Sequence, residues 1–164
     1  SAHKIHGPKG VGFLYIRNGA KIQPQILGGG QQGGMRSGTD NVPGIAGLGV
    51  AAEKIYENFD KKIEHLYELK QRMAAGLLAL DKEHIILNGM PVPEGAPQIL
   101  SVSFPGVRSE VLLSATLAAM GLSREQLEST VRISFSEENT FEEVDYCLAV
   151  LGEVLPMLRR YARR

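Results

Sequence analysis

The sequence predicts an α/β (α+β) fold in which a short sheet is packed by helices, and three observations lead there. Residues 61–80 and the stretch from Thr140 onward repeat apolar side chains at helical spacing. Residues 11–16, 84–87, 98–104 and 130–136 are short runs of the β-branched, aromatic or alternating kind that forms strands. Glycine- and proline-rich segments at 28–38 and 89–97 separate those runs. The 164 residues, 43% apolar and 22% charged, suit one soluble domain with a sizeable core or a large part of a bigger protein.

Taken in order, residues 11–16 read as a strand and Asn18-Gly19 as a hairpin-type turn. Residues 20–27 then return as a second strand, with Pro24 indicating an edge or irregular pairing. Residues 28–38 hold too many glycines for a helix and form a loop whose backbone can approach a ligand closely. Gly28, Gly30 and Gly33, with Glu53 downstream, match a dinucleotide-binding spacing. That fold needs a helix to begin at the last glycine, whereas Gly34, Ser37, Gly38 and Pro43 delay any helix by about ten residues. Asp40 or Asn41 caps the next helix, with Pro43 in its first turn. Ile45, Leu48, Val50, Ala51, Ala52 and Ile55 make that helix mostly buried. Asn58 and Asp60 mark a break and a domain boundary, giving 1–60 and 61–164. Ile63, Leu66, Leu69, Met73 and Leu77 line one face of residues 61–80, where His65 reads as solvated. Residues 98–104 are apolar enough for a central strand, and Ser109 caps a helix beyond them. Thr140 opens the last helix, with Glu143 completing a capping box.

Net charge is zero, so no electrostatic footprint for nucleic acid or an anionic membrane is visible. The basic Arg159-Arg160-Tyr161-Ala162-Arg163-Arg164 is short and reads as a helix end favoured by the helix dipole. One cysteine rules out an internal disulfide and fits a reducing, cytoplasmic compartment. No apolar run reaches bilayer length, and four scattered histidines with one cysteine give no metal-ligand spacing.

The chemistry concentrates in the first ten residues, Ser1-Ala2-His3-Lys4-Ile5-His6-Gly7-Pro8-Lys9-Gly10. A lysine whose charge is disfavoured by burial or neighbours can add to a carbonyl and form a Schiff base. Ser1, His3 and the N–H groups of the turn are donors for an anion such as phosphate. On residue types alone, Lys4 and Lys9 read more readily as solvated turn lysines, with His3 and His6 only flanking a strand. Arg132 alternates with Val131 and Ile133 and so points to the opposite strand face. There it either grips a carboxylate with two parallel bonds or makes a surface ion pair. Cys147 lies in an apolar stretch of the last helix and reads as a buried structural thiol.

The opening segment, continued through Val11-Gly12, resembles the cofactor-lysine segment of cysteine desulfurases. These are fold-type-I pyridoxal phosphate (PLP) enzymes of the class V aminotransferase group. Gly28-Gly29-Gly30-Gln31-Gln32-Gly33-Gly34-Met35-Arg36-Ser37-Gly38-Thr39 resembles that family's glycine-rich segment. Val131-Arg132-Ile133-Ser134-Phe135-Ser136, followed by Asn139-Thr140-Phe141-Glu142-Glu143-Val144-Asp145, resembles its C-terminal signature. The resemblance implies that residues 1–60 are the C-terminal remnant of the PLP-binding large domain and residues 61–164 a small C-terminal domain. It implies that L-cysteine gives L-alanine, with sulfur passing as an enzyme persulfide to an acceptor protein for iron-sulfur cluster assembly or other sulfur transfer. Lys4 would carry the PLP, Ser1 and His3 would contact its phosphate, and Arg132 would orient the substrate carboxylate. Thr39 would reach the phosphate of the partner subunit in a homodimer. The remaining N-terminal part of the enzyme would supply the groups around the pyridine ring. A selenocysteine lyase, another class V relative and a non-catalytic fragment are the alternatives.

Residues 111–120, read literally, form a helix apolar on every side. The resemblance instead divides this stretch into two family helices that meet between about Leu113 and Ser114. The segment normally between them, with the loop bearing the catalytic cysteine, is expected to be missing. The chain alone is therefore expected not to complete the reaction.

Overall fold

The computed structural model describes residues 1–92, 94–107 and 119–162. The chain forms two compact units, Ser1–Phe59 and Asp60–Arg164. The regular elements are α1 (Val42–Tyr56), α2 (Phe59–Leu80), β1 (Ile86–Asn88), β2 (Ile99–Ser103), α3 (Arg124–Ser129), β3 (Thr130–Ser134) and α4 (Phe141–Ala162). Tight 3-10 turns occur at Ala2–Ile5 and Gln31–Gly34. The expected helix after Ser109 and the junction near residues 113–114 lie outside the described residues.

In the second unit, β2 is central and pairs antiparallel with β1 and β3. Leu100 faces Ile133, Val102 faces Val131 and Leu87 faces Val102. These residues share one face and belong to the core, together with Leu69, Met73 and Leu77 of α2 and Val144 and Leu155 of α4. On α2, Leu66, Leu69, Lys70, Met73, Ala74 and Leu77 are buried, a continuous stripe at helical spacing. Burying each of the fully enclosed Leu69 and Leu77 is worth about 1.5–3 kcal/mol. Gly76 lets α4 approach closely, since a Cβ there would stand 2.3 Å from Leu148 Cδ1. Arg72 makes paired 2.7 Å bonds to Asp145 and lies over the Phe141 ring, 5.4 Å from its centroid. The ion pair is half exposed and adds little by itself. His65, expected to be solvated, is half-buried. It donates to the Asn139 carbonyl at 2.9 Å and meets the Phe141 ring edge-on.

The charged member of the α2 stripe is braced. Lys70 is 3% exposed and donates to the Ala96 carbonyl at 2.9 Å, while Tyr67 donates to the Gly95 carbonyl at 3.0 Å. Burial pushes the Lys70 ammonium below the usual lysine range. One turn of helix thus holds two successive carbonyls of the segment that leads into β2. The α4 capping box forms as expected, with Glu143 N–H donating to Thr140 Oγ1 and Thr140 N–H to Glu143 Oε2. Ser123 and Gln126 form a second box at α3.

The first unit is built on α1, whose Asn41 cap accepts from the Gly44 N–H at 3.2 Å. The predicted strands at 11–16 and 20–27 do not form. Among the described residues, that region pairs only through an isolated parallel bridge between Ile26 and Arg36. A strand needs a neighbouring backbone to bond, and Phe13, Leu14 and Tyr15 stay 76%, 74% and 80% exposed. The expected burial of α1 also fails. Gly44 and Ala51 are buried, while Ile45 and Val50 are exposed. Asn58 takes a left-handed φ of 54° between α1 and α2, a conformation asparagine tolerates.

Two predictions follow from this packing. A Cβ at Gly7 would lie 2.9 Å from Ala2 Cβ, 3.1 Å from the Ala2 carbonyl and 3.2 Å from Ala51 Cβ. Gly7→Ala is expected to destabilise the first unit by about 1–3 kcal/mol, read as lost hydrogen-exchange protection at the Ala2 and Gly7 amides. In the second unit, bonds from the His84 imidazole and then the Arg159 guanidinium hold the Asp81 carboxyl at about 2. Its contribution is present above the unfolded carboxylate range, near pH 4, and is lost as pH falls toward about 2. Denaturant midpoints measured between about pH 5 and pH 2 should therefore fall more steeply for wild type than for Asp81→Asn.

Candidate functional site

In a 3-10 turn, residues i and i+3 lie one above the other. Ala2 and Ile5 form that pair at the start of the chain. Ala2 is fully buried and Ile5 half-buried, which leaves His3 and Lys4 facing outward and exposed. The turn is fastened by Ala2 N–H to the Val11 carbonyl at 2.9 Å and Gly7 N–H to the Ala2 carbonyl at 2.9 Å. His6, left-handed at φ 61°, reverses the chain between them. Gly7 admits Ala51 of α1, and Gly47 admits Pro8, since a Cβ at Gly47 would stand 2.7 Å from Pro8 Cγ. Small residues on both sides therefore seat the lysine turn directly on α1.

The N–H groups of Ala2, Lys4 and Gly7 are bonded to carbonyls of Val11, Ser1 and Ala2. Ser1 stands at the N-cap position, yet its hydroxyl makes no cap bond, and Ser1, His3 and Lys4 are all exposed. The donor set is one amine, one hydroxyl and one imidazole on a single turn, which fits an aldehyde that also bears a phosphate.

The glycine-rich loop is a shaped coil. Gln32, Gly33 and Gly34 are left-handed in succession, at φ 52°, 64° and 79°. Ser37 Oγ donates to the Gly29 carbonyl at 2.7 Å, Gly38 N–H to Gln31 Oε1 at 3.3 Å and Gln32 Nε2 to Asp40 Oδ1 at 3.0 Å. Helix α1 begins at Val42, well past the last glycine of the dinucleotide spacing, so that reading is excluded. The loop delivers Thr39 exposed, just ahead of the α1 cap.

In the second unit, β-sheet parity places Arg132. Asn88 faces Ser101, Ser101 faces Arg132 and Ser103 faces Thr130, so these residues share the face opposite the core. Arg132 is exposed there, as alternation with Val131 and Ile133 required. Sequence reasoning missed the rest of this face, although Ser101 and Ser103 alternate with Leu100 and Val102. Cys147 is half-buried against the core rather than fully buried. Among the described residues, no group of three or more His, Cys, Asp or Glu could hold a metal ion, and no helix is long and apolar enough to cross a membrane.

The family profile Aminotransferase class-V matches residues 1–147. The cysteine desulfurase IscS of Clostridium botulinum is 38% identical over 183 residues, covering 97% of this chain and 46% of that protein. The IscS of Methanosarcina thermophila is 36% identical, with 97% and 44% covered. Among solved structures, a NifS-like protein is 41% identical with a TM-score of 0.86 over 96% of this chain and 46% of its own. The apo cysteine desulfurase of Thermococcus onnurineus is 26% identical with a TM-score of 0.75. The chain spans about half the length of the curated relatives it matches. Only about 159 residues, 97% of 164, stand within the 183 matched positions of the C. botulinum protein, so about two dozen of its positions face gaps here. With the profile, the relatives and the fold in agreement, the chain belongs to the class V aminotransferase family, and its similarity within that family is to cysteine desulfurases.

Proposed function

We propose that this chain contributes the cofactor lysine and the carboxylate-binding strand of a PLP-dependent cysteine desulfurase. In that reaction, L-cysteine and an enzyme thiol give L-alanine and an enzyme persulfide, for iron-sulfur cluster assembly or other sulfur transfer in the cytoplasm. The observation that carries the reading is the Lys4 turn. Ala2 is buried and Ile5 half-buried, and the Lys4 amine is exposed on the same turn as the Ser1 hydroxyl and the His3 imidazole.

Lys4 would hold the cofactor through Nζ and afterwards take and return protons there. Ser1 Oγ and the His3 imidazole would donate to the phosphate. Thr39 Oγ1 would donate to the phosphate of a second subunit in a homodimer. When bound, PLP supplies an aldehyde for the amine and an electron sink for charge developing on the substrate. Arg132 would hold the substrate carboxylate through charge-assisted bonds and so fix its orientation.

The sulfur step needs an accessible thiol of low pKa. Cys147, the chain's one cysteine, packs half-buried against the core and does not suit that step. The two dozen unmatched positions support the reading that a thiol-bearing segment is missing. A non-catalytic role draws support from the same observation and is the second reading.

The expected result is no measurable sulfide release from L-cysteine by this polypeptide alone. Release at the rate of a full-length desulfurase would refute this. PLP followed by borohydride should leave a stable pyridoxyl group on Lys4, located by peptide mass spectrometry. Absence of label at Lys4, or equal labelling of Lys9, would favour the non-catalytic reading.

A further inference from the structure

The polar face of the sheet carries a hydrogen-bond chain whose direction is forced. Thr130 Oγ1 donates to the Gln126 carbonyl, which can only accept. That leaves Ser103 to supply the proton for its 2.7 Å contact with Thr130 Oγ1. With its own proton used, Ser103 Oγ must accept from Asn88, whose Nδ2 stands 2.8 Å away. Ser103 and Thr130 are 0% and 2% exposed, so no water competes for these positions. The buried chain therefore fixes which way the Asn88 amide points. The same Nδ2 also stands 3.5 Å from Ser101 Oγ, where it can again only donate. Ser101 is half-buried and lies directly across β2–β3 from exposed Arg132. A hydroxyl that accepts there keeps its own proton available to donate to a ligand on this face.

We propose that Ser101 is a second carboxylate contact beside Arg132, and that Asn88 is the positioning residue that keeps the Ser101 hydroxyl a donor. This rests on Arg132 being the carboxylate site. Arg132 supplies charge and a planar fork, and Ser101 supplies one neutral donor from the adjacent strand. Residues directly across a strand pair have Cβ atoms about 5 Å apart, so a flexible arginine and a short hydroxyl can meet one carboxylate from two sides. The ligand class is an α-amino acid with a free carboxylate, and a carboxamide is discriminated against because it brings N–H donors to a donor pair.

The test is a nuclear magnetic resonance titration of the whole chain with L-alanine and with L-alaninamide, following backbone amides of β2 and β3. Wild type should show saturable shifts at Ser101 and Arg132 with L-alanine and weaker binding of the amide. Ser101→Ala should lose about 3–10-fold in affinity and part of the carboxylate preference, while Ser101→Thr, which keeps the hydroxyl, should stay within about twofold of wild type. Asn88→Ala should lose about 2–5-fold, and Arg132→Ala more than about tenfold. Unchanged affinity in Ser101→Ala alongside loss in Arg132→Ala overturns the Ser101 assignment alone. Unchanged affinity in Arg132→Ala overturns the carboxylate site itself. Saturation absent in wild type up to about 100 mM L-alanine overturns both. If Ser101→Ala fails to fold, Ser101→Thr binding no better than Arg132→Ala overturns the proposal.

Discussion

The pleat of a β-strand sends neighbouring side chains to opposite faces, and the second unit depends on that alternation. With Leu100 opposite Ile133, the side chains of Leu87, Leu100, Val102, Val131 and Ile133 turn toward the core built with α2 and α4, while Ile86 and Ile99 lie on the other face. The same register sends Ser101, Ser103, Thr130 and Arg132 the other way. A slip of one residue would bury Arg132 and expose Val131 and Ile133, so core formation and presentation of the arginine are one event. Lys70 and Tyr67 reinforce it from outside the sheet by holding the Gly95 and Ala96 carbonyls at the entry to β2. The Ala96 carbonyl gives the buried Lys70 ammonium a partner there, while burial still disfavours its charge.

Much of this unit was legible in the sequence because its signals are local. The apolar spacing of α2, the Thr140 and Glu143 box of α4 and the strand character of 98–104 and 130–136 involve residues close together in the chain. The assignment of Arg132 to the polar face needed only the alternation around it. The relay from Asn88 through Ser103 to Thr130 joins three strands and could not be read from any one of them. His65 was misjudged for the same reason, since its acceptor on Asn139 is 74 residues away in sequence.

The first unit was less legible, for a different physical reason. Residues 11–16 have strand composition, but composition supplies no partner. The helix cap at Asn41 and the turn at Asn18-Gly19 depend on short-range geometry, whereas burial of α1 depends on what else packs against it. Residue types alone left Lys4 readable as a solvated turn lysine, and the resemblance of the opening segment singled it out. Its outward direction came from Ala2 and Ile5 stacking in a 3-10 turn, a feature the sequence does not announce. The site is thus distributed unevenly, with its chemistry in short motifs and its orientation in the packing beneath them.

Gly76 and Leu148 show how such packing limits inheritance. A methyl group at position 76 would stand 2.3 Å from Leu148 Cδ1, so that side of α2 has no spare volume. A larger residue at 76 requires the Leu148 side chain to shift or to shrink. The two positions are coupled across 72 residues of chain, and homologous sequences should drift there as a pair.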